Sequence, residues 1–222
     1  MNLILVELRK TVDTRAARWL LAVVAALTVA APLLQGGRAF PAAAAAAQLP
    51  VSILLPVLAV LAVTAEWSQR TALTTFALVP DRRRVMLAKL AAVTVLGLAA
   101  AGFALGVAAV VAGGVDVAVA GQLALVDVTT MWCGFGFGLL LLGSAGAVAA
   151  YYVVPIGWAA AGRLVPALEP AARWLDLSRT RGPLDAAGVT ADEWARFAAS
   201  AALWVALPIL LGLVRATRAE IR

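Results

Sequence analysis

The sequence predicts an all-α, polytopic membrane protein with six transmembrane helices. Of its 222 residues, 64% are hydrophobic and only 14% are charged, and its mean hydropathy is +0.96. A soluble domain has about 25% charged residues. The apolar residues form runs close to the roughly 20 residues that a helix needs to cross a hydrocarbon core about 30 Å thick. Six such runs and their connections use residues 1–222, so we expect a single transmembrane domain and no second, soluble one.

Glycines, prolines and charged clusters separate the apolar runs. Residues 121–162 are almost free of charge, but one helix of that length would be about 63 Å long, so Gly143–Gly146 is expected to divide it. The alanine tract Ala42–Ala47 predicts a helical lead-in to the second span, and Pro50 and Pro56 are expected to bend that span. The predicted spans are 19–34, 49–65, 85–112, 122–142, 146–162 and 194–214.

Shorter helices are predicted outside the spans. Residues 2–18 have the spacing of an amphipathic helix lying in the membrane interface, although a frayed cytoplasmic end is an alternative. Asp81 is placed to cap the third span, and Thr190 begins a capping box before the sixth span, which Pro208 should bend. The polar stretch 163–190 predicts a short helical segment on the outer membrane surface or re-entering the membrane.

The distribution of basic residues predicts that both termini are cytoplasmic. Six spans place both termini on one side, and that side receives 12 of the 18 Lys and Arg residues. Short cytoplasmic loops collect such residues, and Arg82–Arg84 lies in a short loop beside a span. We therefore expect a multi-pass protein of a plasma membrane, such as a bacterial inner membrane. Its net charge of +6 then reflects topology and lipid contact rather than nucleic-acid binding.

Residue types needed for several kinds of chemistry are missing. The sequence has no histidine and one cysteine, Cys133, which excludes an internal disulfide and leaves no ligand set for zinc or haem. We expect Cys133 to be a small buried hydrophobe. No Ser/His/Asp or Cys/His set exists for hydrolytic catalysis, and no GxxxxGKS/T motif for a P-loop. The chain is therefore not expected to be an enzyme by itself.

Two intramembrane features have structural explanations. Glycines four residues apart, at Gly102/Gly106 and Gly134/Gly138, predict close helix–helix contacts. Asp127 lies inside an apolar run, where a charge is costly and often functional. Its place a turn or two from the outer end of the fourth span favours an interfacial carboxylate, or a hydrogen bond to a neighbouring helix.

The stretch between the second and third spans carries the most specific pattern. Glu66, Thr71 and Pro80 are followed by Arg82–Arg84 and then by Lys89 in the next span. This pattern resembles the loop after the second helix in type-2 permeases of ABC transporters (the ABC-2 exporter family). The resemblance extends to the basic amphipathic N-terminal helix, the six spans, the broken segment after the fifth span and the arginine-rich tail.

The resemblance implies a permease subunit that pairs with two copies of a separate P-loop ATPase, which would bind the ATP and Mg²⁺. No cofactor is expected in this chain. A short cytoplasmic coupling helix between spans 2 and 3 would dock on that ATPase, or the loop is only a basic cytoplasmic connection. The residues expected to couple are Glu66, Arg70, Thr71, Leu73, Phe76, Pro80, Arg82, Arg83, Arg84 and Lys89.

The resemblance also implies a translocation path between two copies of the chain, or between it and a related permease, lined by the second and fifth spans. Possible lining residues are Pro56, Tyr151, Tyr152 and Trp158. With few intramembrane charges, the expected cargo is hydrophobic or amphipathic: a drug, lipid or peptide. Two other functions stay open: a membrane scaffold or immunity protein that transports nothing, and a secondary transporter, for which Asp127 alone is a poor coupling site.

Overall fold

The computed structural model describes residues 3–36, 39–68 and 81–218, without the side chains of Ser68, Arg82, Thr217 and Arg218. In these ranges the chain is helical and has no strand. The α-helices are Leu3–Val12, Arg15–Gln35, Phe40–Leu54, Pro56–Ser68, Arg82–Ala112, Val117–Leu141, Ser144–Leu164, Glu169–Leu175, Leu177–Arg181, Ala191–Ala201 and Leu207–Arg218. Pro166–Leu168 and Gly182–Asp185 are 3₁₀ turns, and Ala202–Ala206 is a π-helical turn.

Among the described residues, six helices are long and apolar enough to cross a membrane, as the sequence predicts. We call them spans 1 to 6, and their bounds are Arg15–Gln35, Phe40–Trp67, Arg83–Ala112, Val117–Leu141, Ser144–Leu164 and Ala191–Ala216. The largest difference from prediction is in span 2. The alanine tract belongs to the span itself, because Ala43, Ala44, Ala46 and Ala47 are all buried in the core.

The spans alternate in direction, so contacts between distant residues identify the two ends of the bundle. At the end that holds the N-terminal helix Leu3–Val12, the Thr64 and Ser144 hydroxyls are 2.8 Å apart and Arg215 donates to the Leu140 carbonyl oxygen (2.7 Å). We call this the N-terminal end. Residues 165–190, between spans 5 and 6, lie at the opposite end.

Several helix boundaries follow from local sequence as predicted. The Asp81 carboxylate accepts from the backbone N–H groups of Arg83 and Arg84 and caps span 3. Thr190 and Glu193 form the predicted capping box of span 6. Span 4 ends before Gly143, where Leu142 takes a left-handed conformation (φ 57°), and span 5 begins at Ser144.

Span 4 is the central helix of the bundle. In its most apolar stretch 72% of the residues are buried within the chain, against 11% for span 5. Span 4 approaches span 2 closely, because a Cβ on Gly134 would come 2.6 Å from the Pro56 carbonyl oxygen, and one on Gly138 would come 3.1 Å from that of Val60. The predicted contact role of these two glycines is confirmed.

The same prediction is wrong for Gly102 and Gly106 within this chain. A Cβ at either glycine would meet no described residue within 4 Å. Together with Val29, Leu33 and Phe103 they line an apolar surface groove between spans 1 and 3. The spacing of four residues puts both glycines on one helix face, but it does not dictate that a neighbour approaches that face.

Two prolines are associated with helix irregularities. Span 2 is interrupted at Leu55, directly before Pro56, while Pro50 lies inside the helix Phe40–Leu54 without interrupting it. In span 6 the π-helical turn Ala202–Ala206 precedes Pro208. Proline lacks the N–H group and crowds the carbonyl one turn earlier, which accounts for both positions.

The 165–190 segment lies over one end of the bundle, with many of its residues exposed, and a few buried side chains anchor it there. Leu184 is fully buried against Val126 and Phe197, and the Gln122 amide nitrogen, turned toward this segment, donates to the carbonyl oxygens of Leu184 and Ala186 (2.9 and 3.0 Å). In the helix Glu169–Leu175 Ala172 is buried. This segment therefore brings polar side chains against span 4.

Candidate functional sites: a four-charge cluster and a polar cavity

Two lysines and two glutamates meet at the N-terminal end of the bundle. The Lys89 ammonium lies 2.6 Å from Glu7 Oε2 and 3.1 Å from Glu66 Oε1. The Lys10 ammonium lies 2.9 Å from Glu7 Oε1 and 3.1 Å from the same Glu66 oxygen. Each lysine thus bridges both carboxylates. We call these four residues the four-charge cluster.

Three separate elements supply the cluster. Glu7 and Lys10 lie one turn apart on the N-terminal helix, Glu66 is in the last turns of span 2, and Lys89 is about two turns into span 3. Lys89 also donates to the carbonyl oxygen of Ala62 (3.0 Å). Since the cluster is the meeting point of these elements, it ties the N-terminal helix to the two spans that flank residues 69–80.

Burial makes this pairing a requirement for stability. The side chains of Glu7 and Lys89 are each only 3% exposed, and an isolated buried charge costs several kcal/mol. The two lysines and two glutamates give the cluster no net charge. Each buried charged side chain lies beside a side chain of opposite charge.

Lys10 is the more exposed lysine of the cluster, and its contacts with Glu7 and Glu66 change its pKa. Partial burial alone would lower the pKa of Lys10, but hydrogen bonds and charge attraction from Glu7 and Glu66 outweigh it and raise the pKa above its ordinary value. A cavity of about 280 Å³ adjoins the cluster between the N-terminal helix and span 2.

The cluster contains only part of the residue set expected to couple to an ATPase. Glu66 and Lys89 are in it, and Arg83 and Arg84 are exposed in the first turn of span 3. Arg82 is described by its backbone alone. Five residues, and the predicted coupling helix, lie outside the described residues: Arg70, Thr71, Leu73, Phe76 and Pro80.

A second polar site lies on the opposite half of the bundle. Asp127 in span 4 and Gln48 in span 2 line a cavity of about 280 Å³ together with Arg181 and Asp185 of the 165–190 segment. Asp127 is 1% exposed and Gln48 is 4% exposed. Neither oxygen of Asp127 and neither amide atom of Gln48 makes a hydrogen bond of normal geometry with the described residues. We call this the Asp127 cavity.

This placement corrects one of the two explanations that the sequence favours for Asp127. The residue is not interfacial, because it lies about 15 Å along the helix axis from Val117, at 1.5 Å per residue. The other explanation, a hydrogen bond to a neighbouring helix, is supported in part: the Gln48 side chain of span 2 interacts with the Asp127 carboxyl group, although no hydrogen bond of normal geometry joins Asp127 to the described residues. The interfacial prediction failed because span 4 begins at Val117 rather than near residue 122, and because Leu184 of the 165–190 segment packs against Val126, next to Asp127.

A smaller cavity of about 160 Å³ adjoins the first. Tyr151, Tyr152 and Pro155 of span 5 line it, with Cys133 and Thr130 of span 4. The two tyrosine rings pack edge to face, with centroids 4.8 Å apart. Ser52 and Arg181 line both cavities, so the two are contiguous. We call this one the tyrosine cavity.

The other residues predicted to line a translocation path lie elsewhere. Pro56 packs against Gly134 at the contact of spans 2 and 4, and Trp158 packs against the group formed by Cys133, Phe137 and Trp204. Cys133 itself is buried and free, as predicted. The described residues contain no group of three or more potential metal ligands.

Sequence reasoning did not assign a site role to five residues: Glu7, Lys10, Gln48, Arg181 and Asp185. One signal for the cluster was available, because Lys89 is a charge within an apolar run and such a charge requires a partner. No comparable signal exists for Gln48 or Arg181, whose proximity to Asp127 depends on how the 165–190 segment folds back.

Comparisons with known proteins do not assign the chain to a family. No family model matches the sequence, and a search of curated proteins finds no match.

Proposed function

We propose that this chain is the transmembrane permease subunit of an ATP-binding-cassette exporter of the type-2 family. In this proposal it forms the translocation path as a dimer and is driven by a separate P-loop ATPase. The observation that carries the proposal is the four-charge cluster. Glu66 and Lys89, which bracket the loop pattern of that family, are joined to each other and to the N-terminal helix by buried ion pairs.

The cluster supports a mechanical role for the loop. A force applied to residues 69–80 would act on the end of span 2 and the start of span 3, and the cluster links both to the N-terminal helix. Because the pairs are buried, their separation would be costly. The three elements would therefore move together when the ATPase closes. The arrangement suits a subunit on which a partner ATPase acts at the N-terminal end of the bundle. We assign this end to the cytoplasm.

The exposed surface of span 5 supports assembly into a dimer. Val153 and Ile156 are 67% and 65% exposed, and Leu164 is 80% exposed. Tyr151 and Tyr152 of the same span line the tyrosine cavity. A second copy, or a related permease, facing span 5 would place these tyrosines beside the path, while the remaining apolar faces contact lipid. Hydrophobic or amphipathic cargo suits such a path.

The proposal is tested first by assembly and then by energy coupling. The tagged chain should co-purify with a P-loop ATPase from its native membrane. Proteoliposomes containing both should accumulate a fluorescent amphipathic dye when ATP and Mg²⁺ are added. Dye accumulation that does not require ATP would refute the proposal, and so would the absence of an ATPase from the purified complex.

Variants at the N-terminal end separate coupling from folding. Charge reversal by Arg83→Glu with Arg84→Glu, two exposed residues outside the cluster, should lower dye-stimulated ATP hydrolysis while the protein still elutes as a monodisperse complex. Glu66→Ala should lower it as well, and it also removes one of the two carboxylates beside Lys89. Glu169→Gln is the matched control, because Glu169 pairs with Arg173 at the opposite end. Stimulation that is unchanged in all variants would leave the loop as a basic connection only.

A second candidate function is a secondary transporter, and Asp127 is the observation that favours it. A buried carboxylate whose oxygens make no hydrogen bond of normal geometry with the described residues is the kind of group that carries a coupling ion. The two candidates differ in energy source. A secondary transporter would accumulate dye under an imposed proton or sodium gradient without ATP, and would need no ATPase.

A further inference from the structure

The Asp127 cavity has the composition of a binding site for a positive charge. Asp127 and Gln48 are both more than nine-tenths buried, both line the cavity, and neither makes a hydrogen bond of normal geometry with the described residues. A buried polar group normally has a partner, since the unpaired state is costly. The Gln48 amide lies close enough to interact with Asp127, but one amide group cannot satisfy both carboxylate oxygens and its own oxygen. The acceptors that remain call for a further donor, preferably a cationic one.

The charged groups around the cavity favour a single positive charge. Asp127 and Asp185 are acidic and Arg181 is basic, so the ionised lining has a net charge of −1. Arg181 forms no ion pair within 4 Å in the described part of the chain, so it does not neutralise Asp127 by direct contact. An anion would have to approach two carboxylates.

The neighbouring tyrosine cavity would accept the apolar part of the same ligand. The two cavities share Ser52 and Arg181, and Thr130, which lines the tyrosine cavity, lies one turn after Asp127 on span 4. Their volumes of about 280 and 160 Å³ together reach the lower part of the range of about 300–1,000 Å³ found for ligand sites. Tyrosine rings offer an apolar surface to an aromatic or aliphatic body.

We propose that these two cavities bind an amphipathic amine, with its ammonium group on Asp127 and Gln48 and its apolar body against Tyr151 and Tyr152. The ligand class is a primary amine with one positive charge and a compact apolar group. That this ligand is the exported cargo rests on the function proposed above, whereas the binding itself does not.

The test uses the purified full-length chain in nanodiscs of phosphatidylcholine, whose zwitterionic headgroups do not concentrate amines. The probe is 2-phenylethylamine, and 2-phenylethanol is its neutral control of similar shape. Calorimetry at neutral pH should give saturable amine binding at least about tenfold tighter than alcohol binding, because a charge-assisted hydrogen bond is replaced by a neutral one. Equal binding of the two compounds, or no saturable amine binding, would overturn the proposal.

Variants that should weaken amine binding and variants that should tighten it together distinguish a ligand contact from a structural role. Asp127→Asn should weaken amine binding about tenfold or more, and Asp127→Glu should largely retain it. Arg181→Gln should tighten binding several-fold because it removes a like charge from the cavity. Asp192→Asn is the control: Asp192 is exposed, pairs with Arg196 and is not among the residues that line either cavity. It should bind the amine like the wild type.

Two results keep the proposal testable if Asp127→Asn does not fold. Gln48→Leu should weaken amine binding without changing alcohol binding, and Arg181→Gln should still tighten it. If Gln48→Leu and Arg181→Gln both leave the amine affinity unchanged, the proposed binding site is wrong. The assay contains no ATPase or ATP, so amine binding that holds while ATP-driven transport fails would refute the proposed function and leave the site standing.

Discussion

The Lys89 ammonium lies 2.6 Å from a carboxylate oxygen of Glu7, and both side chains are buried although the residues are 82 positions apart. This contact fixes the N-terminal helix to span 3, and Glu66 adds the end of span 2. A helix that sequence analysis places at the membrane interface is thus joined to the transmembrane bundle by charge.

Lys89→Met should strongly destabilise the protein. It removes one ammonium from the four-charge cluster and leaves two buried carboxylates with only Lys10 between them. Breaking a buried ion pair by removing one partner costs about 3–5 kcal/mol, so the free energy of unfolding should fall by about that amount. Titration with SDS in detergent micelles, followed by circular dichroism, measures it.

Lys10→Met is the matched control for this substitution. The Lys10 side chain is 45% exposed and that of Lys89 is 3% exposed, so solvent can replace part of the lost interaction. Its effect on the free energy of unfolding should be clearly smaller. Equal losses in the two variants would contradict the view that burial, rather than charge count, determines the stability of the cluster.

The stability of the N-terminal helix should depend on pH in the alkaline range. Because Glu7 and Glu66 raise the Lys10 pKa above its ordinary value of 10.5, the stabilisation by Lys10 is complete below that value. It is lost as the pH rises through the higher pKa of the folded state. The SDS midpoint of the wild type should therefore fall above about pH 10.5.

Lys10→Arg isolates this effect from other titrating groups. An arginine stays protonated throughout this range, and the substitution changes no other titratable group. The variant should therefore lose less stability than the wild type between about pH 10 and 12. Parallel pH curves for the two proteins would show that Lys10 does not contribute.

The number of spans and the local helix ends could be predicted from the sequence because short-range rules determine them. A run of about 20 apolar residues has no other stable environment than lipid, and caps such as Asp81 and Thr190 act within three residues of their own position. The same rules placed the boundary between spans 4 and 5 correctly near Gly143.

The sites depend on long-range packing, which these rules do not contain. The sequence around Glu7 is compatible with a side chain that faces water and with one that contacts Lys89. Only the packing of the N-terminal helix on span 3 determines which of these two environments Glu7 has. Gly102 and Gly134 begin identical four-residue spacings, yet of these two only Gly134 has the backbone of another described element within 4 Å. Asp127 is deep in the bundle because the 165–190 segment folds over span 4.

Gly134→Ala and Gly106→Ala should change stability in opposite directions. A methyl group at Gly134 would lie 2.6 Å from the Pro56 carbonyl oxygen, a backbone atom that cannot rotate away. Forcing spans 2 and 4 apart should cost about 1–3 kcal/mol. At Gly106 the methyl group meets nothing within 4 Å, so alanine should be neutral or stabilise the helix by up to about 1 kcal/mol. SDS unfolding midpoints compare the two, and a loss at both positions would refute the assigned contact.

Tyr152→Phe should loosen the connection between span 5 and the interruption in span 2. The Tyr152 hydroxyl donates to the carbonyl oxygen of Ile53, two residues before the interruption at Leu55. Losing this hydrogen bond should lower the free energy of unfolding by about 0.5–1.5 kcal/mol. The tyrosine cavity keeps its aromatic lining, so 2-phenylethylamine binding should change little.

Tyr151→Phe provides a control one position away. The Tyr151 hydroxyl has no hydrogen-bond partner among the described residues, while its ring packs edge to face on both Phe137 and Tyr152. Removing that hydroxyl should leave the SDS midpoint unchanged. Pulsed electron spin resonance between labels on spans 2 and 5 should show a broader distance distribution for Tyr152→Phe alone. If both variants broaden it equally, the span 2 to span 5 contact depends on ring packing and not on the bond to Ile53.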